Sequence, residues 1–161
     1  MNTVYIETSI ISYLRQKPSR QIVTAARQLL THRLWHGERK HYELVVSQYV
    51  IDEASAGDPI LAAERLESLD GIPLLSHAPE IPKLADEIMS LCVFPEKHKS
   101  TLFTSRLSRI IRYNTYLMWN CKHIANAKIL PHIHDLLAKL GIPIPIIYTP
   151  EELLSDDTES G

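Results

Sequence analysis

The amino-acid sequence predicts an α/β fold with a central, mainly parallel β-sheet that is covered by helices on both faces. Short apolar runs rich in β-branched and aromatic residues alternate with longer segments whose apolar residues recur at helical spacing. The short runs are almost continuously apolar, which is typical of strands buried on both faces of a parallel sheet. The length of 161 residues suits one domain with one core.

The predicted elements begin with one strand and two helices. Residues 3–7 form the strand, and the hydroxyls of Thr8 and Ser9 can cap the short helix that follows it. A longer helix runs from Ser19 to near Gly37. Its predicted buried face is the apolar series Ile22, Val23, Ala26, Leu29, Leu30 and Leu34.

A second strand and two more helices come next. Residues 43–47 form the strand, and Ser47 can cap the helix after it. Asp58 and Pro59 provide a capping side chain and a first-position proline for a helix through Leu66.

The alternation continues to the end of the chain. The further predicted elements are a strand at residues 72–76, a helix beginning after Pro79, a helix around residues 100–113, a strand at 116–119, a helix ending before Gly141 and a strand at 144–148. Thr149 and Pro150 cap a last short helix, and a polar tail follows. The predicted domain therefore spans residues 1–150, with a helix start and a tail at residues 151–161.

Composition narrows the class of protein. With 45% hydrophobic and 22% charged residues, disordered and low-complexity classes are excluded. No apolar run approaches the roughly 18–20 residues of a membrane helix, so we expect a cytoplasmic protein without a membrane partner. Cys92 and Cys121 lack paired spacing, and neither a disulfide framework nor a structural zinc site is expected.

Basic residues are concentrated in one stretch of a chain whose net charge is −2. No acidic residue lies between Glu96 and Asp135. The predicted RNA-binding residues in this stretch are Arg106, Arg109, Arg112 and Lys122. The three arginines form a stripe at helical spacing, which suits a polyanion, and a solvated helix surface is the alternative.

Polar residues at predicted strand ends are the first candidates for a binding site, because ligands bind beyond the carboxyl ends of parallel strands. Glu7 ends the first strand, Glu53 lies on the helix after the second, and Asn120 closes a later strand. Each also has an ordinary structural explanation. Glu7 suits a solvated strand end, Glu53 a water-facing helix position with Asp52 as its rival, and Asn120 a turn or cap.

Three segments of the chain form a combined pattern: VYIETSIISYL near the N-terminus, VVSQYVIDEAS in the middle, and YLMWNCKHIANAKI in the last third. Together they resemble the PIN-domain family of metal-dependent ribonucleases, and within it the VapC-type toxins of bacterial toxin–antitoxin pairs. The likeness covers residues 2–148. It implies a three-layer α/β fold, Mg²⁺ or Mn²⁺ as cofactor, single-stranded RNA as substrate, an antitoxin protein as partner and a homodimer.

The resemblance also implies a role for each candidate residue. Glu7 matches the family's first acidic residue, Glu53 the second, and Asn120 the last strand-end position, so these three are the implied catalytic residues. Glu7 and Glu53 would be metal ligands, since Mg²⁺ takes oxygen donors. Thr8 and Ser9 would support them by binding a metal-bound water or a phosphate oxygen. We expect Glu7, Glu53 and Asn120 to converge at the carboxyl ends of the strands.

One acidic residue of the family pattern is missing. The family's third acidic residue lies about nineteen residues before the last motif, and counting back from Asn120 gives Thr101. The uncharged Thr101 would deprive the metal of a carboxylate, and Glu96 is the nearby acid that could partly replace it. The degenerate segment, about residues 98–118, has the length that the family pattern requires but lacks the family's residues. Two compensating frameshifts in the gene would produce such a segment.

Two functions follow from these observations. One is a metal-dependent endoribonuclease, and the alternative is a catalytically impaired relative that retains antitoxin or RNA binding. An unrelated phosphate-binding α/β protein is disfavoured, because neither of the glycine-rich phosphate loops G-x-x-x-x-G-K-[ST] and G-x-G-x-x-G occurs in the sequence.

Overall fold

A computed structural model of the chain describes residues 2–75, 115–119 and 130–154. The chain divides into two compact units. The first consists of Met1–Ser76, Thr115–Trp119 and Ile147–Gly161, and the second of His77–Asn114 and Asn120–Ile146. Within the described residues, no helix has the length and apolar character needed to cross a membrane.

The described strands form one four-stranded sheet in the order β2-β1-β3-β4. They are β1 (Asn2–Ile6), β2 (Tyr42–Val45), β3 (Thr115–Leu117) and β4 (Ile146–Tyr148). Strand β1 pairs in parallel with both β2 and β3, so Tyr5 lies between Val45 and Tyr116. Next to β3, the Met118 N–H donates to the Tyr148 carbonyl at 3.0 Å. The predicted α/β class with a parallel sheet is confirmed.

Two predicted strands are shorter than expected because of prolines. At residues 72–75 the sheet gains only an isolated parallel bridge between Val46 and Leu74. Pro73 accepts a hydrogen bond from the Val46 N–H at 3.1 Å but has no N–H to continue the ladder. Strand β4 begins directly after Pro145, since proline is tolerated before a strand but not within a paired one.

The described helices of the first unit are α1 (Thr8–Arg15), α2 (Ile22–His36), α3 (Gln48–Ser55) and α4 (Pro59–Leu69), with 3₁₀ turns at Glu38–His41 and Pro150–Leu153. A further helix in the second unit spans Leu130–Lys139 and is followed by Gly141 at φ +67°, a conformation that favours glycine. The helices predicted after Pro79 and around residues 100–113 lie outside the described residues.

The local capping signals predicted two helix starts correctly. The Asp58 carboxylate accepts the N–H groups of Ile60 at 2.9 Å and Leu61 at 3.1 Å, and Pro59 occupies the first position of α4. The helix continues to Leu69 rather than Leu66. Thr149 and Pro150 also start the last 3₁₀ turn, where the Glu152 carboxylate accepts the Thr149 N–H at 2.6 Å.

The face of α2 that the apolar pattern predicted to be buried lies mostly at the surface, and that prediction is wrong. Ile22, Val23 and Leu29 are 86%, 65% and 63% exposed, and Ala26 is exposed as well. The side chains that α2 buries are those of Gln28, Thr31, Leu34 and Trp35. Leu34 alone belongs to both sets.

Hydrogen bonds explain why polar residues occupy the buried face of α2. The Gln28 side chain accepts the Ser19 N–H at 2.9 Å. The Thr31 hydroxyl donates to the Arg27 carbonyl at 2.7 Å and accepts the indole N–H of Trp119 at 2.7 Å. Because these polar atoms are paired, their burial carries little penalty. Periodicity of apolar residues does not detect such a face.

Candidate functional site

The candidate site lies at the carboxyl edge of the sheet, where β1 ends. The Glu7 N–H donates to the Leu117 carbonyl at 3.0 Å, so the pairing of β1 with β3 extends as far as Glu7. Glu7 is only 8% exposed. Since β1 and β2 are parallel, the segment that follows β2 leaves the sheet at the same edge.

Glu7 caps helix α1 with its own side chain. One carboxylate oxygen, Oε2, accepts the Ser9 N–H at 2.9 Å. The prediction that the hydroxyls of Thr8 and Ser9 cap this helix is therefore wrong. A carboxylate at the cap position satisfies a free backbone donor and interacts favourably with the positive end of the helix dipole. Among the described residues nothing donates to the other oxygen, Oε1.

The Thr8 hydroxyl connects the start of α1 to helix α3. Its Oγ1 donates to Oε2 of Glu53, a residue 45 positions further along the chain. Glu53 is half-buried. Thr8 directly follows Glu7 in the chain, so the Glu53 carboxylate contacts the neighbour of Glu7.

Comparison of the chain with protein-family models, with curated proteins and with solved structures gives no match.

Asp52, the rival of Glu53 on the same helix, lies in a different environment. It is exposed, and its carboxylate accepts the Gln48 side-chain amide at 2.9 Å within α3. Asp52 thus belongs to the solvated face of the helix, whereas Glu53 contacts α1.

Ser47 occupies the cap position of α3, as predicted, but does not make the predicted hydrogen bond. Its hydroxyl lies 2.7 Å from the Tyr5 hydroxyl instead of accepting a helix N–H. Tyr5 is fully buried on β1, and a buried phenol needs a hydrogen-bond partner. The result is a direct link between the strand that ends at Glu7 and the start of the helix that carries Glu53.

The Ser9 hydroxyl also has a protein partner, because it accepts the backbone N–H of Trp119 at 3.0 Å. Trp119 follows β3 and immediately precedes Asn120 in the sequence. Asn120 itself lies outside the described residues, as do Thr101, Arg106, Arg109, Arg112 and Lys122. Their proposed roles stay predictions.

The donor set at this edge fits a hard divalent cation. Mg²⁺ is commonly held by one or two carboxylates while it keeps several of its waters, and Glu7 and Glu53 supply two carboxylates. In residues 2–75, 115–119 and 130–154 there is no group of three or more His, Cys, Asp or Glu side chains that could hold a metal ion. The hydrogen bonds from Ser9 to Glu7 and from Thr8 to Glu53 hold two acidic side chains at the start of α1.

A cluster around Trp119, whose backbone N–H donates to Ser9, was not predicted from the sequence. The indole is 7% exposed and meets the Tyr13 ring edge-to-face at 6.1 Å. The guanidinium carbon of Arg27 lies 5.4 Å from its ring centroid. One sequence feature could have indicated this cluster: Arg27 and Thr31 are spaced i, i+4 on α2 and therefore share one face of the helix. The apolar pattern had assigned that face to solvent.

A second arginine–tryptophan pair lies at the opposite, amino edge of the sheet. Arg39 stacks over Trp35 at 4.6 Å beside a cleft of about 560 Å³. The charged residues of this cleft are Arg15, His36, Arg39, Lys40, Glu67 and Asp70. Nearby, burial lowers the pKa of His32, and the positive charges of His36 and Arg15 lower it further. The cleft carries acidic as well as basic groups. Strand β2 begins two residues after Lys40, which lines the cleft.

Proposed function

We propose that the chain is a Mg²⁺- or Mn²⁺-dependent endoribonuclease of the PIN type that cleaves single-stranded RNA. The observation that carries the proposal is the hydrogen bond from Thr8 to Glu53. It supports the proposal because two acidic residues from separate elements meet the same helix start, at the edge of a parallel sheet where ligands bind. These are also the two acidic positions that the sequence resemblance selects.

The protein's own groups have defined tasks in this proposal. Glu7 and Glu53 would hold the ion, and Ser9 N–H and Thr8 Oγ1 orient the two carboxylates by donating to one oxygen of each. A divalent ion held there would supply charge neutralisation on the phosphodiester and a more acidic water. In the hydrolysis, the water oxygen bonds to phosphorus and gives up a proton to solvent, one ester P–O bond breaks, and the leaving oxygen takes up a proton from solvent.

The direct test is cleavage of a labelled single-stranded RNA by the purified chain. We expect cleavage in Mn²⁺, none in EDTA, and recovery when Mn²⁺ is added back in excess. Recovery separates a requirement for the ion from loss of folded protein in EDTA. Cleavage that persists in EDTA would rule out the proposed chemistry.

The second candidate is a catalytically impaired relative that binds RNA or an antitoxin protein. It is favoured by Thr101, which stands where the family resemblance puts a third acidic residue. Two carboxylates neutralise less of the charge of a divalent ion than three, so this candidate would bind the ion weakly. It would retain the fold and its binding surfaces while cutting RNA slowly.

Thr101→Asp separates the two candidates. If Thr101 occupies the third acidic position, the added carboxylate should tighten Mn²⁺ binding about tenfold or more and increase cleavage. Ser100→Asp is the matched control, since it adds the same charge one residue away. Calorimetry and the cleavage assay are run on both variants at equal salt.

Equal Mn²⁺ affinities for Thr101→Asp, Ser100→Asp and the wild type would show that position 101 is not a ligand position. A wild type that cuts RNA as fast as Thr101→Asp would remove the reason to consider the protein impaired.

A further inference from the structure

Arg27 is held in place next to the candidate site. It is half-buried on α2, its guanidinium lies over the Trp119 indole, and its Nη1 donates to the Tyr13 hydroxyl at 3.3 Å. The indole packs against the cation, a favourable arrangement that fixes the side chain. An arginine has five N–H donors in a planar fork, so the bond to Tyr13 leaves most of them available.

Two contacts connect Arg27 to the helix whose start Glu7 caps. Trp119, over which Arg27 stacks, donates its backbone N–H to Ser9. Tyr13, which Arg27 contacts, follows Ser9 by four residues and therefore shares its face of α1. One residue thus separates Arg27 from the helix start that Glu7 caps.

The charge of Arg27 is not neutralised by a carboxylate in the part of the chain that the structure describes. The ion pair between His41 and Glu38, at 3.0 Å, does not include Arg27. A partly desolvated cation gains from an anionic partner, and the guanidinium fork matches the oxygens of a phosphate.

We infer that Arg27 binds a phosphate of the RNA substrate that flanks the Glu7 and Glu53 carboxylates. This inference rests on the proposed function and adds a substrate contact to the same site. We assign the contact to phosphate, because Trp119 is 7% exposed and its ring already lies under Arg27, so it offers no free face on which a base could stack. Binding through Arg27 is therefore tolerant of RNA sequence.

The experiment is RNA binding without cleavage, measured by fluorescence anisotropy of a labelled single-stranded oligonucleotide in EDTA over a series of KCl concentrations. Arg27→Gln should weaken binding several-fold and reduce the slope of log affinity against log salt by about 0.7, the contribution of one neutralised phosphate of a single strand. Arg27→Lys keeps the charge and should keep the slope.

Arg39→Gln is the matched control, since it removes a guanidinium stacked on a tryptophan at the opposite edge of the sheet. It should leave the slope unchanged. Thermal unfolding of each variant identifies losses of stability, so that all titrations are run on folded protein. A structural role for Arg27 would lower the melting temperature of Arg27→Gln but would not alter its salt slope.

The outcomes separate this inference from the proposed nuclease activity. If Arg27→Gln and the wild type share one slope, or Arg39→Gln loses as much as Arg27→Gln, the inference is overturned even if the wild type cleaves RNA. If the slope depends on Arg27 but Mn²⁺ brings no cleavage, the phosphate contact stands and the nuclease proposal fails. A wild type that neither binds RNA in EDTA nor cleaves it in Mn²⁺ overturns both.

Discussion

Glu53→Gln is expected to lower the rate of RNA cleavage at least about 100-fold while leaving the protein folded. The substitution removes one negative charge from the proposed ion site at almost constant shape. The Thr8 hydroxyl, which donates to Oε2 of Glu53, can donate equally well to the amide oxygen of a glutamine. The contact between α1 and α3 is therefore kept, and only the charge is lost.

Asp52→Asn is the matched control for this prediction. Asp52 precedes Glu53 on α3, is exposed, and accepts a hydrogen bond from Gln48 within the helix. The same change of charge there should leave cleavage within about twofold of the wild type, because exposed charges are screened over a Debye length of about 8–10 Å. Equal effects of the two substitutions would mean that Glu53 has no special part in catalysis.

Trp119→Ala is expected to destabilise the protein by about 3–5 kcal/mol. Trp119 is nearly fully buried and connects three elements. Its indole N–H donates to Thr31 on α2, its ring contacts Tyr13 on α1, and its backbone directly follows β3 through Met118. Truncation creates a cavity at this junction and leaves Arg27 without the ring beneath it. Urea unfolding measures the change in the free energy of unfolding at an unchanged m-value.

Trp119→Phe divides this loss into packing and hydrogen bonding. The phenyl ring keeps part of the packing but cannot donate to Thr31, and one hydrogen bond is worth about 0.5–1.5 kcal/mol. We expect a total cost between that value and the cost of Trp119→Ala. If the alanine variant unfolds at the wild-type urea concentration, the Trp119 cluster does not hold the three elements together.

Local signals predicted the elements well, because they act over a few residues. The cap at Asp58 with Pro59 is one case, and the left-handed Gly141 after a helix is another. The α/β class followed from the alternation of strands and helices. Two predicted strands were longer than the observed ones because Pro73 and Pro145 have no N–H to donate to a ladder.

Partners distant in sequence account for the errors at Ser47, at Ser9 and on the buried face of α2. Ser47 was correctly placed at the start of α3, but its hydroxyl bonds to Tyr5, 42 residues earlier, instead of the helix. Ser9 accepts its hydrogen bond from Trp119, 110 residues later. The buried face of α2 was missed for the same reason, since Thr31 is buried through its bond to Trp119. No local pattern encodes these contacts.

The candidate site was accessible to sequence analysis only in part. Glu7 was selected by its position at a strand end, Glu53 by its place on the helix after the second strand, and both by the family resemblance; the structure joins Thr8, the neighbour of Glu7, to Glu53 by a hydrogen bond. The Glu7 cap was not foreseen, because Ser, Thr, Asp and Asn are the preferred cap residues and Glu is not among them. Arg27 was not selected because its neighbours in space come from α1 and from the end of β3.

The most direct measurement is a calorimetric titration of Mn²⁺ into the wild type and into the double variant Glu7→Gln, Glu53→Gln. Both glutamines can still accept the hydrogen bonds from Ser9 and Thr8, so the fold should be preserved. We expect saturable binding of Mn²⁺ by the wild type and at least about tenfold weaker binding by the double variant. Equal Mn²⁺ affinities of the two proteins, with both folded, would contradict the assignment of Glu7 and Glu53 as metal ligands.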